Sequence, residues 1–163
     1  PETGKREVVE VANDNGGGQI VISGHAAAVD RAIERAKEAG VKRAMKLPVS
    51  APFHSALMAP AADAMAEALD RATMRGPVVP LVANVSAAKA TDPAEIRDLL
   101  VRQVTGTVRW RECILAMGAM GCDRFVEIGS GKVLTGLMKR LMPEAKAESI
   151  GTPADIEAFL KTV

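Results

Sequence analysis

Arg124-Phe125-Val126-Glu127-Ile128-Gly129-Ser130-Gly131-Lys132 reads as a strand that runs through a tight turn into a helix. Residues 124–128 are rich in aromatic and β-branched side chains, which suits a buried strand. Beyond the glycines the apolar residues recur at helical spacing and predict a helix from Lys132 to Met142. A strand followed so closely by a helix predicts a layered α/β domain. The glycine turn also invites comparison with a phosphate-binding loop. That loop needs glycine at position 126 and Ser or Thr at position 133. Both positions hold valine, so the turn reads as a close strand-to-helix connection rather than a nucleotide site. The helix N-terminus it leaves exposed is still suited to an anionic or polar group.

Working outward, a last strand is followed by a helix that starts at Thr152-Pro153. Upstream, a helix spans about Val108 to Met120 and stops at Gly121. Before it, Asp92-Pro93-Ala94-Glu95 is a helix start: Asp92 caps, Pro93 takes the first position and Glu95 the third. That helix is expected to reach Gln103. Val78–Val82 reads as a strand, with Pro80 placing it at an edge or a bulge. Leu57, Met58, Ala61, Met65, Ala68 and Leu69 predict a helix over Ser55–Thr73, with Pro60 in its first turns.

Nearer the N-terminus, Glu7–Ala12 and Gln19–Ser23 read as the strands of a hairpin closed by Asn13-Asp14-Asn15-Gly16-Gly17-Gly18. An amphipathic helix follows from His25 to Ala39 and stops at Gly40. Ala44–Val49 is expected to be a third strand. The order β-β-α-β matches the last four elements of a ferredoxin-like β-α-β-β-α-β unit. Residues 1–48 are therefore expected to form an incomplete ferredoxin-like small subdomain, and residues 49–163 part of a larger one. The polar opening Pro1–Arg6, with no Met and no signal-peptide pattern, reads as a cut or processed end.

Composition excludes several classes. The chain has 163 residues, 48% hydrophobic and 25% charged, which fits a globular core. Lys and Arg number 21 against 20 acids, so no charge bias points to nucleic acid or a membrane surface. One Trp, three Phe and no Tyr argue against a base-stacking platform. Two Cys outside any CxxC pair and two His supply no structural metal site. Cys113 and Cys122 read as small core residues of a reducing, cytoplasmic setting. No apolar run is long enough to span a bilayer.

His54 stands out among single residues. It lies in Pro48-Val49-Ser50-Ala51-Pro52-Phe53-His54-Ser55-Ala56-Leu57-Met58, at the expected end of a strand and start of a helix. Active sites of open α/β sheets collect at the carboxyl ends of strands. A neutral imidazole, which a helix N-terminus favours over the cation, can act as a general base. On position alone the residue is as compatible with a structural role as with a catalytic one. His25 reads as a partly exposed residue of a helix start.

Four stretches carry a family resemblance. They are Val11–His25, the His54 segment, Ile96–Gln103 with Val108-Arg109-Trp110, and Glu127–Leu137. In this order and at these separations they resemble the C-terminal part of the malonyl-CoA:acyl carrier protein transacylases of fatty-acid synthesis. The resemblance covers nearly the whole chain. It implies an α/β-hydrolase-like large subdomain with a ferredoxin-like insertion. It implies a Ser-His pair working in ping-pong fashion. His54 would be the base, and the backbone carbonyl of Gln103 would orient its ring in place of a triad carboxylate. Asn15 would lie near the acyl or pantetheine path; as a bare residue type it reads as a turn former. Phe53 would crowd an α-methyl branch and favour malonyl over methylmalonyl. Lys42-Arg43 would belong to a docking surface for acidic carrier protein. The substrate would be malonyl-CoA, and no cofactor is implied.

The chain departs from that family in lacking a Gly-x-Ser-x-Gly elbow around any of its serines. The carboxylate-binding Arg also has no match, and Ser130 stands where the family often has proline. These parts would sit in an upstream segment of the same enzyme, so this chain alone is expected to be inactive. A polyketide-synthase acyltransferase, a non-catalytic carrier-binding fragment and a hydrolase of the same fold are the alternatives.

Overall fold

The computed structural model describes residues 6–162; the lead-in Pro1–Lys5 lies outside them. The elements are β1 Val9–Asp14, β2 Ile20–Gly24, α1 Ala26–Glu38, α2 Ala59–Asp70, β3 Leu81–Ala83, β4 Ala88–Ala90, α3 Pro93–Thr105, α4 Trp110–Ala119, β5 Arg124–Ile128, α5 Val133–Leu141, β6 Lys146–Ile150 and α6 Pro153–Leu160. The chain is mixed α/β.

The strands pair two by two: β1 with β2 antiparallel, β3 with β4 antiparallel, and β5 with β6 parallel. The β1–β2 turn runs through Gly16, Gly17 and Gly18, all at positive φ, where a side chain would be strained. The ladder slips between Val11 and Asn13, leaving Ala12 as a bulge. Ala12 is buried, and its carbonyl accepts from Val108 N at 2.8 Å instead of from β2. Asp14 N in turn donates to Val108 O at 2.9 Å. The outer edge of β1 is thus stitched to the link between α3 and α4.

Two apolar clusters hold these pieces. Ala90, Ile96 and Leu99 pack with Met74, Ala83 and Val85, joining the β3–β4 hairpin to α3. Cys113 and the fully buried Ile114 on α4 form a second centre, since α4 touches β1, β3 and α5. Burying an Ile side chain contributes about 1.5–3 kcal/mol, and Ile114 lies on the helix that touches β1, β3 and α5.

Capping follows the sequence closely. Asp92 Oδ2 accepts from Glu95 N at 3.0 Å with Pro93 at the first turn of α3. Thr152 and Asp155 cap α6 reciprocally.

Several expectations need correction. Residues 44–49 form no strand: among the described residues no ladder partner lies beside them, and Met45, Leu47 and Val49 are exposed. Strand propensity without a partner strand gives no ladder, so the N-terminal unit here is β-β-α. His54 therefore follows an irregular segment, not a strand. The expected helix over 55–73 is a short 3-10 turn, Ala56–Met58, followed by α2. β3 starts only after Pro80, whose missing N–H cannot join a ladder. β4 was not expected at all. β5 is half-buried rather than buried, having one partner strand. Cys122 is exposed, not a core residue, because it sits past the end of α4.

Candidate active site

His54 occupies the turn between the irregular segment and α2, with φ at +56°. The left-handed region costs a non-glycine residue roughly 1–2 kcal/mol, so surrounding contacts must impose it. Ser55, the next residue, is fully buried, and its Oγ donates to Pro52 O at 2.7 Å. Phe53, the residue before, is 46% exposed.

The His54 ring meets α3 at its C-terminal end. Nδ1 lies 3.0 Å from Gln103 O. The last four carbonyls of a helix have no partner within it, so this one is free to accept. α3 ends at Gly106, where a Cβ would come within 2.8 Å of Arg102 O and 2.7 Å of Val85 Cγ2. A carbonyl oxygen only accepts, so in the neutral ring Nδ1 carries the proton and Nε2 presents a lone pair. The arrangement yields a half-buried imidazole of fixed tautomer with a free basic nitrogen. The Gln103 side chain turns elsewhere, its Nε2 donating to Gly106 O at 3.0 Å.

The structure thus brings His54 and Gln103 together, with Phe53 beside His54 in the chain, while Asn15, Lys42 and Arg43 make no hydrogen bond to that pair among the described residues. Asn15 lies in the glycine-rich loop, half-buried, its amide donating to Gln19 O at 3.0 Å. The preceding Asp14 pairs with Arg111 at 2.8 Å and accepts from Gly16 N at 3.1 Å. The Arg111 hydrogen bond, outweighing partial burial, holds the Asp14 carboxyl below its usual range. This ties the loop to α4. Lys42 and Arg43 are both exposed beyond α1 and form no ion pair among the described residues.

The α5 N-terminus is not open to a ligand. Glu127 fills it, accepting from Leu134 N at 3.1 Å, Thr135 N at 2.8 Å and Thr135 Oγ1 at 2.7 Å. The Thr135 amide hydrogen bond is the main reason its carboxyl sits below the usual range. Sequence reasoning missed two contacts around His54. Glu10 Oε2 accepts from Ala56 N at 2.7 Å, and Thr107 Oγ1 donates to Val11 O at 2.6 Å. Neither has a local signal, since the partners are 46 and 96 residues apart. Among the described residues no His, Cys, Asp or Glu cluster suits a metal ion, and no helix is long and apolar enough to cross a membrane.

The chain is mixed α/β and presents a half-buried imidazole whose Nδ1 is held by a carbonyl at a helix end. Residues 3–160 match the acyl transferase domain family, and the chain belongs to that family. It is 46% identical over 159 residues to the malonyl CoA-acyl carrier protein transacylase of Salmonella typhimurium, covering 98% of this chain and 52% of that protein. Against the Bacillus subtilis protein of the same name it is 44% identical over 161 residues, covering 99% of this chain and 51% of the relative. The chain therefore spans about half the length of the curated relatives it matches. Its fold superimposes on the acyl-carrier-protein-S-malonyltransferase of Bartonella henselae with a TM-score of 0.91 at 57% identity, over 95% of this chain and 49% of the other. A complex of a type II polyketide-synthase acyl-carrier protein with its malonyl-transacylase gives a TM-score of 0.91 at 39% identity, over 96% of this chain and 51% of the other.

Proposed function

We propose that this chain supplies the general base of a malonyl-CoA:acyl carrier protein transacylase, and that His54 is that base. The observation that carries the reading is the 3.0 Å contact of His54 Nδ1 with Gln103 O, which leaves Nε2 free. A serine from an upstream segment attacks the malonyl thioester while Nε2 takes its proton. The tetrahedral intermediate collapses, and the coenzyme A thiolate leaves with that proton. The half-reaction then runs in reverse with the phosphopantetheine thiol of the carrier protein.

In this reading residues 1–48 belong to a ferredoxin-like small subdomain and residues 49–163 to an α/β-hydrolase-like large one. The setting is cytoplasmic and no cofactor takes part. Phe53 flanks the base and disfavours an α-methyl branch by about 1–3 kcal/mol. Asn15 lines the pantetheine path. Lys42 and Arg43, exposed and without an ion pair among the described residues, attract the acidic carrier, mainly by raising the association rate.

Intact mass spectrometry of the purified protein, before and after malonyl-CoA, tests this. A companion polypeptide that gains a malonyl group with wild-type chain and not with His54→Ala supports it. Malonylation that proceeds equally with His54→Ala refutes it. The likeness to the polyketide-synthase transacylase favours one second reading, loading of a polyketide carrier, and the carrier that accepts the acyl group separates the two.

A further inference from the structure

We infer that Glu10 is a positioning residue for His54, holding the base from a strand 46 residues away; this rests on His54 being the base. The 3-10 turn that follows His54 begins with an orphan amide, Ala56 N. Ser55 stands at the capping position, from which a side chain reaches the second and third amides of a turn rather than the first. Its hydroxyl is committed elsewhere, donating to Pro52 O at 2.7 Å, and no side-chain cap comes from it. Glu10 takes over, with Oε2 accepting from Ala56 N at 2.7 Å. A charged acceptor on a backbone amide makes one of the stronger protein hydrogen bonds.

The same strand grips the other half of the pair. Thr107 donates to Val11 O, Val108 N donates to Ala12 O, and Asp14 N donates to Val108 O. Residues 107 and 108 directly follow the end of α3, which presents Gln103 O. β1 therefore fixes the His54 turn through Glu10 and the Gln103 carbonyl through residues 11–14. Glu10 is the side-chain link that closes this frame. Without it the left-handed turn at His54 loses one of the contacts that impose it, and the Nδ1–Gln103 O bond loosens.

The chain has only two histidines, so 15N-histidine labelling reports on His54 with His25 as internal reference. His54→Gln assigns the signals. In the wild type the Nδ1 proton held by Gln103 O is expected to be protected from solvent exchange. Glu10→Gln keeps an oxygen in place and is expected to retain that signal. Glu10→Ala removes the acceptor and Glu10→Asp withdraws it by one methylene, so both are expected to lose protection at His54 and not elsewhere. Glu10→Asp keeps the test decisive where Glu10→Ala unfolds. In the complete enzyme the same variants lower kcat about tenfold or more, as a misplaced group does, with KM unchanged and rescue by glutamine. Protection at His54 unchanged in both Glu10→Asp and Glu10→Ala overturns the inference. Transfer that survives His54→Gln instead overturns the base assignment, leaving the Glu10 contact to the resonance result alone.

Discussion

Two of the turns that lead into helices are closed by a glutamate, but from different distances. At Gly129–Lys132 the carboxylate comes from Glu127, on the strand just before the turn, seven and eight residues from the amides it binds. At His54 it comes from Glu10, across the molecule. The first turn can form with its own strand and helix alone. The second is correct only once β1 has docked on the α3–α4 link. A locally closed turn is a folding device. A remotely closed one ties a strained residue to the rest of the fold, which suits a group that must meet a substrate at a set angle.

The comparison can be broken most forcefully at His54 itself. His54→Ala is expected to lower malonyl transfer by about 10²–10⁴-fold, with circular dichroism unchanged; a rate near wild type would remove the functional half of the contrast. Glu127→Gln should act on stability and leave transfer nearly intact. Glu127 titrates below its usual range in the folded chain. Its contribution is therefore complete above its unfolded value of about 4.3 and disappears as pH falls through the lower folded value. Thermal melts should separate wild type from Glu127→Gln at neutral pH and converge in acid; parallel curves at all pH values would mean that the charge plays no part. Asp92→Ala removes the cap at the far end of α3 and should cost about 1 kcal/mol in denaturant titration, without moving kcat. Gln103→Ala should leave transfer nearly intact, because the carbonyl that holds His54 is main chain. A loss approaching that of His54→Ala would assign the role to the side chain.

What the sequence made legible divides along the same line. The Asp92 cap, the helix start at Thr152-Pro153, the glycine hairpin and the turn after β5 are spelled by residues within a few positions of one another, and each forms there, although β1 runs on to Asp14. Residues 44–49 have strand-like composition but no partner, and composition cannot report a missing neighbour. Ala88-Lys89-Ala90 pairs because a turn brings it back on β3, although nothing in those three residues favours a strand. At the site, position singles out His54 and leaves its role open, while the Gln103 carbonyl enters only through the family resemblance. Glu10 and Thr107 were invisible because only the tertiary fold puts them beside their partners.

The bulge at Ala12 gives β1 a property that no single side chain carries. Along a regular strand, faces alternate with every residue, so the orientation of one position fixes all others. An extra residue resets that count. Glu10 lies before the reset, and Asn13 and Asp14, which lead into the glycine loop, lie after it. The strand thereby sets two orientations independently, one toward the Ala56 amide and one toward the turn. Removing Ala12 would merge them into one phase and turn one group from its partner, although every other residue remained. At this strand the number of residues, as much as their identity, holds the site together.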